Sequence, residues 1–469
     1  DEIQAITFAH CDVQKDGSKV RLSLTSCIYA SVGVTWLSRF CCAVQVVGGR
    51  AGPKYTLLHC RWRRTMFSDY GQECIVSISP WDSLKIHVLS FTWGLWVVLK
   101  RLAQWAWNPN GFFSLQRREA PPPCLVDSSL GRHSYMKLKG VKLHYVESGE
   151  RDKPLLLLLH GFPDCWLSWR YQIPVLAQHY RVVALDLKGF GDSDKPMWRR
   201  NYRIDTLLGE LKEFVSALGV ASCTVIGHDL GAMLGWYLIH QYPDMVTKFV
   251  TIACPHPNVY WDELPTASTF NTRWVHFSQL PYLPEIDALK EDLSIINQCF
   301  HHLHKVNSKE TYVEAYKYAF SRKEDWTGPI NYYRNLPFSR VSEESSQVSV
   351  PCLLLTGSKD QFVNLESVVK STDYVQNFSL KIAEGAGHFP HQELPDTVNN
   401  MLLTFLVVPE LPARIEKPVP PKGLVNRMFG AMSSTVRYGN QVVDVVQKKT
   451  NGVVSSLPTK ALYFGQSTS

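Results

Sequence analysis

Three residues in this chain could together carry out nucleophilic chemistry: Asp229, Asp360 and His388. Asp229 is the centre of Gly227-His228-Asp229-Leu230-Gly231, a Gly-x-nucleophile-x-Gly run that marks a sharp strand-to-helix turn. Serine at such a turn suits acyl transfer. A carboxylate suits displacement at a saturated carbon, leaving an alkyl ester that water must then cleave. The expected substrates are therefore epoxides or alkyl halides. Asp360 follows Leu355-Thr356-Gly357-Ser358-Lys359, and His388 closes Gly385-Ala386-Gly387-His388. In this reading the histidine draws a proton from water, and Asp360 holds its tautomer and stabilises the imidazolium. A leucine run ends in His160-Gly161-Phe162-Pro163. Its Phe162 N–H and the Leu230 N–H would form an oxyanion hole, each donor worth roughly 3–4 kcal/mol. His160 itself reads as a structural support for that loop.

These residues need strands to present them. Val141–Val146, Pro154–Leu159, Arg181–Asp186, Thr224–Ile226, Phe249–Ile252, Cys352–Thr356 and Leu380–Ile382 read as strands. Helical patterns alternate with them, as in Thr206–Leu218, which predicts a mostly parallel sheet covered by helices on both faces. Asp229, Asp360 and His388 fall at the ends of three such strands, in the order of an α/β-hydrolase. Strand patterns stop between residues 258 and 347, where aromatic-rich helical sequence predicts an inserted cap. The expected organisation is 1–80 unassigned and compatible with disorder, 81–120 membrane anchor and linker, 121–257 core, 258–347 cap, 348–408 core resumed, and 409–469 Pro-rich linker and tail.

Composition sets the remaining bounds. The 49 Lys and Arg against 42 Asp and Glu give a net charge of +7, with no basic block of the kind that binds nucleic acid. The 12 cysteines include no C-x-x-C pair, so no metal site is implied, and they read as free thiols in a reducing compartment. No cofactor is expected. Ile86–Leu99 is apolar and is followed by Lys100, Arg101, Trp105 and Trp107. With its flanks this segment reads as a single-pass membrane anchor. The cations after it place the catalytic domain in the cytosol, with the endoplasmic reticulum as the expected membrane. In the tail, Val425, Met428, Phe429, Met432, Val436, Val443 and Val446 have helical spacing, which predicts an amphipathic helix over 424–448 for a lipid surface or for packing on the protein.

Several motifs carry a resemblance. His160-Gly161-Phe162-Pro163, Ser168-Trp169-Arg170, the run from Asp186 to Asp194, Gly227 to Gly231, Pro255-His256-Pro257-Asn258 and Gly328 to Asn335 are similar to those of soluble-type epoxide hydrolases. The hydrophobic segment resembles that of the membrane-anchored animal members, and the likeness covers residues 120–408. It implies hydrolysis of an epoxide to a vicinal diol, with two cap tyrosines binding the epoxide oxygen. One maps to Tyr333. The other position holds Trp274, whose indole cannot deliver a proton, leaving His276 or Tyr282 as substitutes. Trp274 and Trp166 are taken as substrate-binding residues. Leu230 stands where the family has Trp, which argues against dehalogenases that bind halide through that side chain.

The expectation is thus an enzyme, an epoxide hydrolase acting on lipid-like epoxides. Its rivals are a dehalogenase of the fluoroacetate type and a non-catalytic membrane-associated protein.

Overall fold

Leu155–Leu159 is a run of five leucines with no polar face, a sequence that is stable only in a strand covered on both sides. In the computed structural model of the chain it is a fully buried central strand. The structure describes residues 74–112, 114–262, 272–305, 309–342, 347–363 and 365–407, with the backbone strands 12–16, 19–23, 42–46, 54–58, 435–438 and 441–446. We number the strands of the main sheet in chain order: β1 Arg132–Lys137, β2 Lys142–Ser148, β3 Leu155–Leu159, β4 Arg181–Leu185, β5 Cys223–His228, β6 Val246–Ile252, β7 Cys352–Gly357, β8 Phe378–Ala383, β9 Thr435–Tyr438 and β10 Gln441–Val446. Their spatial order is β9-β10-β8-β7-β6-β5-β3-β4-β2-β1. From β4 to β10 the pairs are parallel, and the β1–β2, β2–β4 and β9–β10 pairs are antiparallel. This is the α/β-hydrolase arrangement expected from the alternation of strands and helices.

Ile204–Ala217 is an amphipathic helix that buries Leu207, Leu208, Leu211, Phe214 and Val215. Leu230–Gln241 is apolar all round and buried along almost its whole length, as its position behind the sheet requires. The helices between β6 and β7 include Thr272–Ser278, Leu283–Ala288, Lys290–Cys299, Lys309–Ala319 and Glu324–Tyr333. Arg334 clamps three of these cap segments. Its guanidinium donates to Glu285 at 2.8 Å and to the carbonyls of Ser278 at 2.8 Å and Leu280 at 2.6 Å.

The apolar segment before the core is a helix, Pro80–Trp107, long and apolar enough by length and composition to cross a membrane. Ser79 caps it by accepting from Asp82 N–H at 3.1 Å. Asn108 and Pro109 follow its last turn.

The helix expected over 424–448 is corrected. Residues 435–438 and 441–446 are strands that extend the sheet beside β8. Val442, Val443, Val445 and Val446 are β-branched, and the Gly439-Asn440 dipeptide between the strands favours a hairpin turn, so strand propensity outweighs the helical spacing. The rest of that segment lies outside the described residues. In the unit formed by residues 1–71, strands 12–16 and 19–23 pair antiparallel, as do 42–46 and 54–58.

Candidate active site

β5 ends at His228, and the chain turns at once into the Leu230–Gln241 helix. Asp229, at the corner, has φ 45° and ψ −112°, a strained conformation for a residue with a side chain. The flanking glycines make this corner possible. A Cβ on Gly227 would lie 2.5 Å from the Ala232 backbone, and one on Gly231 would lie 2.2 Å from Leu159 O. The Gly-x-Asp-x-Gly spacing is thus the packing requirement of a helix turning back hard against the strand that precedes it.

Asp360 follows β7, and His388 follows β8. The two loops meet, because Lys359 N–H donates to Ala386 O at 2.8 Å. His388 Nδ1 lies 3.0 Å from Asp360 Oδ2, and its Nε2 lies 3.7 Å from Asp229 Oδ1. Asp360 Oδ1 also accepts from Phe362 N–H at 2.7 Å, which fixes the carboxylate. Several groups hold the histidine. His228 Nε2 pairs with His388 O at 2.9 Å, the Phe362 ring stacks on its imidazole at 4.3 Å, and Glu393 accepts from the N–H groups of Gly387 and Phe389 on either side.

The electrostatics follow from this geometry. Burial disfavours the charged imidazolium, but the carboxylates of Asp360 and Asp229 outweigh it and push the His388 pKa up to about 10. Burial also works against ionised Asp229, yet His388 and the Phe162 N–H hold its pKa below the usual value. Both shifts favour the ion pair, an Asp229 carboxylate beside a His388 imidazolium.

Phe162 N–H donates to Asp229 Oδ2 at 3.1 Å, so the loop after β3 reaches the nucleophile. Leu230 is the first residue of its helix, where N–H groups have no intrahelical acceptor. His160 makes only structural bonds: Nδ1–H donates to Gly161 O at 2.8 Å, and Nε2 accepts from Leu187 N–H at 3.1 Å.

Tyr333 ends the Glu324–Tyr333 helix and is buried with its ring 5.3 Å from that of Phe162. Burial, and then the charge of Asp229, push its pKa well above the ordinary value, so its hydroxyl stays protonated. Gln279 Nε2 donates to Tyr333 O at 2.7 Å, tying this helix to the segment after Trp274. Trp274 lies in the Thr272–Ser278 helix, and its side chain is outside the described residues.

Three expectations change. His276 is buried with Nδ1 3.5 Å from Ser90 Oγ, facing the Pro80–Trp107 helix. Tyr282 is 67% exposed beneath Lys323. Neither is placed to substitute for a cap tyrosine. Trp166 is 2% exposed, and its ring packs edge-on to His133. Among its described contacts none reaches Asp229, His388 or Tyr333, so it reads as a packing residue.

One further hydroxyl, which the sequence did not single out, lies near the site: that of Tyr260. Burial, and then the charge of Asp229, raise its pKa, and Asp360 and Tyr333 also lie within its electrostatic reach. The signal was its place two residues after Pro255-His256-Pro257-Asn258, at the junction of core and cap.

Comparison with known proteins agrees with this architecture. Residues 154–393 match the α/β hydrolase fold family. The chain is 40% identical to human epoxide hydrolase 4 over 332 residues, covering 68% of this chain and 89% of that protein. It is 37% identical to epoxide hydrolase 3 of Xenopus tropicalis, covering 67% and 92%. Among solved structures it resembles the Bacillus megaterium epoxide hydrolase in complex with an inhibitor, with a TM-score of 0.53, 28% identity and coverage of 58% and 99%.

Proposed function

The chain belongs to the epoxide hydrolases of the α/β-hydrolase fold, and from that premise we propose that it opens epoxides through a covalent ester on Asp229. The observation that carries this reading is the His388 imidazole between the Asp229 and Asp360 carboxylates.

Asp229 Oδ2 is held by the Phe162 N–H, which leaves Oδ1 free to attack an epoxide carbon. The C–O bond of the ring breaks, and its oxygen takes a proton from Tyr333. Esterification removes the negative charge of Asp229. His388 then loses one of the two carboxylates that kept it protonated, so it releases a proton and becomes a base. That proton restores the hydroxyl of Tyr333, which gave its own to the epoxide oxygen. Neutral His388 removes a proton from water, and hydroxide adds to the ester carbonyl. The oxyanion is stabilised by the Phe162 and Leu230 N–H groups. Collapse expels the diol oxygen, which takes the remaining hydroxyl proton, and the Asp229 carboxylate returns beside an imidazolium. Tyr260, within electrostatic reach of Asp229 and Tyr333, is the candidate for a second hydroxyl, which Trp274 lacks.

Phe162 packs against Phe190, Phe320, Trp326 and Tyr333, an aromatic wall that favours apolar, lipid-like epoxides. The same nucleophile would also displace a halide, but a tyrosine kept protonated serves a developing alkoxide and the relatives are epoxide hydrolases. Association with a membrane is proposed through Pro80–Trp107.

The test is a single turnover in H₂¹⁸O with an aryl or fatty-acid epoxide. The oxygen added to the first diol comes from Asp229 and is unlabelled, while the label enters the Asp229 carboxylate. A labelled first diol would mean direct attack by water and would overturn the ester mechanism.

A further inference from the structure

The Pro80–Trp107 helix presents its polarity inside out. Small residues make its closest approach to the protein, beside half-buried Ile86, Trp93 and Val97: Ser90 is 3% exposed, and Gly94 sits so close to Leu280 that an added Cβ would lie 2.5 Å from a Leu280 methyl. The outward side carries Leu84, Val88, Phe91, Leu95, Trp96 and Leu99, with Phe91 at 73% and Trp96 at 59% exposure. A soluble amphipathic helix does the opposite, and an apolar surface of this extent marks an interaction site. Small residues inward and large apolar residues outward are the pattern of a helix that packs on protein and faces lipid.

Both ends of the helix are tied to the same globular body. Just before it, Ile75–Ser77 pairs antiparallel with Ser339–Val341, and Ile78 N–H donates to Phe338 O at 3.0 Å. Toward its other end Arg101 donates to Asp287 at 3.0 Å, and beyond it Arg118 pairs with Asp292 at 2.8 Å and Glu314 at 3.0 Å. A helix crossing a bilayer needs its ends on opposite sides of a core about 30 Å thick. Here that would draw Asp287, Lys290 and Asp292 toward the hydrocarbon, where charges are costly.

We infer that Pro80–Trp107 lies in the plane of an anionic lipid surface on one side of the membrane, docking the cap against the lipid, and does not span. The inference rests on the membrane association proposed above and replaces its single-pass form. Neighbouring residues extend the surface. Tyr282 and Ile286 are exposed close to the Leu280–Gly94 contact, with Lys323 over the Tyr282 ring. On the other side Met197 and Trp198 are exposed, Arg200 covers the Trp198 ring, and Arg199 lies over Phe338, whose ring also meets His87. Apolar side chains beside cations suit acyl chains beneath phosphate headgroups. The docked helix contacts the Thr272–Ser278 helix through Ser90 and His276, and Gln279 just beyond it holds the Tyr333 backbone. The cap that carries Tyr333 is therefore the part of the protein held against the lipid.

The test uses the full chain. Glycosylation acceptor sites placed before Cys74 and after Glu119 are read in sealed microsomes, and vesicles of phosphatidylcholine with phosphatidylserine are used for flotation. In-plane docking gives both sites modified or neither, and flotation of wild type. Phe91→Asp with Trp96→Asp reduces the vesicle-bound fraction at least tenfold while hydrolysis of a small soluble aryl epoxide persists. Modification of one site alone, with flotation retained, overturns the in-plane placement and leaves membrane association standing. Wild type that fails to float overturns both, and a lipid-free dimer broken by the double substitution assigns the surface to a second copy instead. Diol formation from the soluble epoxide reports on the catalytic reading separately.

Discussion

His388 Nε2 stands 3.7 Å from Asp229 Oδ1, beyond hydrogen-bond length but close enough for the two charges to sustain each other. The gap leaves Oδ1 available to attack. In the proposed mechanism, esterifying Asp229 would change the basicity of His388, the residue assigned to hydrolyse the ester, so the first half of the reaction would prepare the second.

His388→Gln should therefore form the ester and fail to release it. Intact-mass spectra after mixing with an epoxide should show the protein heavier by one substrate, with turnover lowered on the order of 10²–10⁴-fold, the usual contribution of a general base. Asp229→Ala should give neither adduct nor diol. A His388→Gln protein that turns over at the wild-type rate would remove the histidine from the mechanism.

The same ion pairing predicts a pH-dependent stability. The pKa of His388 rises from 6.5 to about 10 in the folded protein, so its stabilising contribution is complete below pH 6.5 and is lost as pH climbs toward 10. Thermal unfolding in detergent should show wild type losing stability relative to His388→Gln across that window. A difference between the two that stays constant from pH 6.5 to 10 would contradict the assignment.

Tyr333→Phe should slow ester formation by roughly 10²-fold or more, through loss of the acid that protonates the opening ring. Tyr260→Phe should slow the same step, and the double variant should be slower than either single one. Rapid-quench measurement of the ester separates this step from its hydrolysis. A Tyr260→Phe enzyme with unchanged ester formation would return Tyr260 to a packing role.

Arg334→Ala should loosen the cap. It leaves buried Glu285 without its partner and three cap segments unclamped, and removing one member of a buried pair costs about 3–5 kcal/mol. Unfolding should begin at lower denaturant, and kcat should fall through displacement of the adjacent Tyr333. If stability is unchanged in urea titration, the clamp is not structural.

Much of this protein was legible in its sequence because the physics there is local. Five leucines in a row, Leu155–Leu159, need a strand buried on both faces, and the glycines at 227 and 231 belong to a corner too tight for a Cβ. The carboxylate at 229 in place of a hydroxyl pointed to displacement at a saturated carbon. The tail misled for a related reason: its apolar spacing fits a helix, but its valines extend the sheet at 441–446 once β8 offers an edge to pair with.

What only the folded chain decided are relations between residues far apart in sequence. Tyr260, His276 and Tyr282 lie in one stretch of sequence and have similar donor chemistry. Packing brings Tyr260 within electrostatic reach of Asp229, turns His276 toward Ser90 and leaves Tyr282 in solvent. The apolar run at 86–99 suggested a membrane segment, but its placement depends on Arg101 meeting Asp287 and Gly94 meeting Leu280, contacts across more than 180 residues. Composition and spacing determine what each segment can do chemically. Distance and burial, set by the whole chain closing around the sheet, determine which of those capacities face one another.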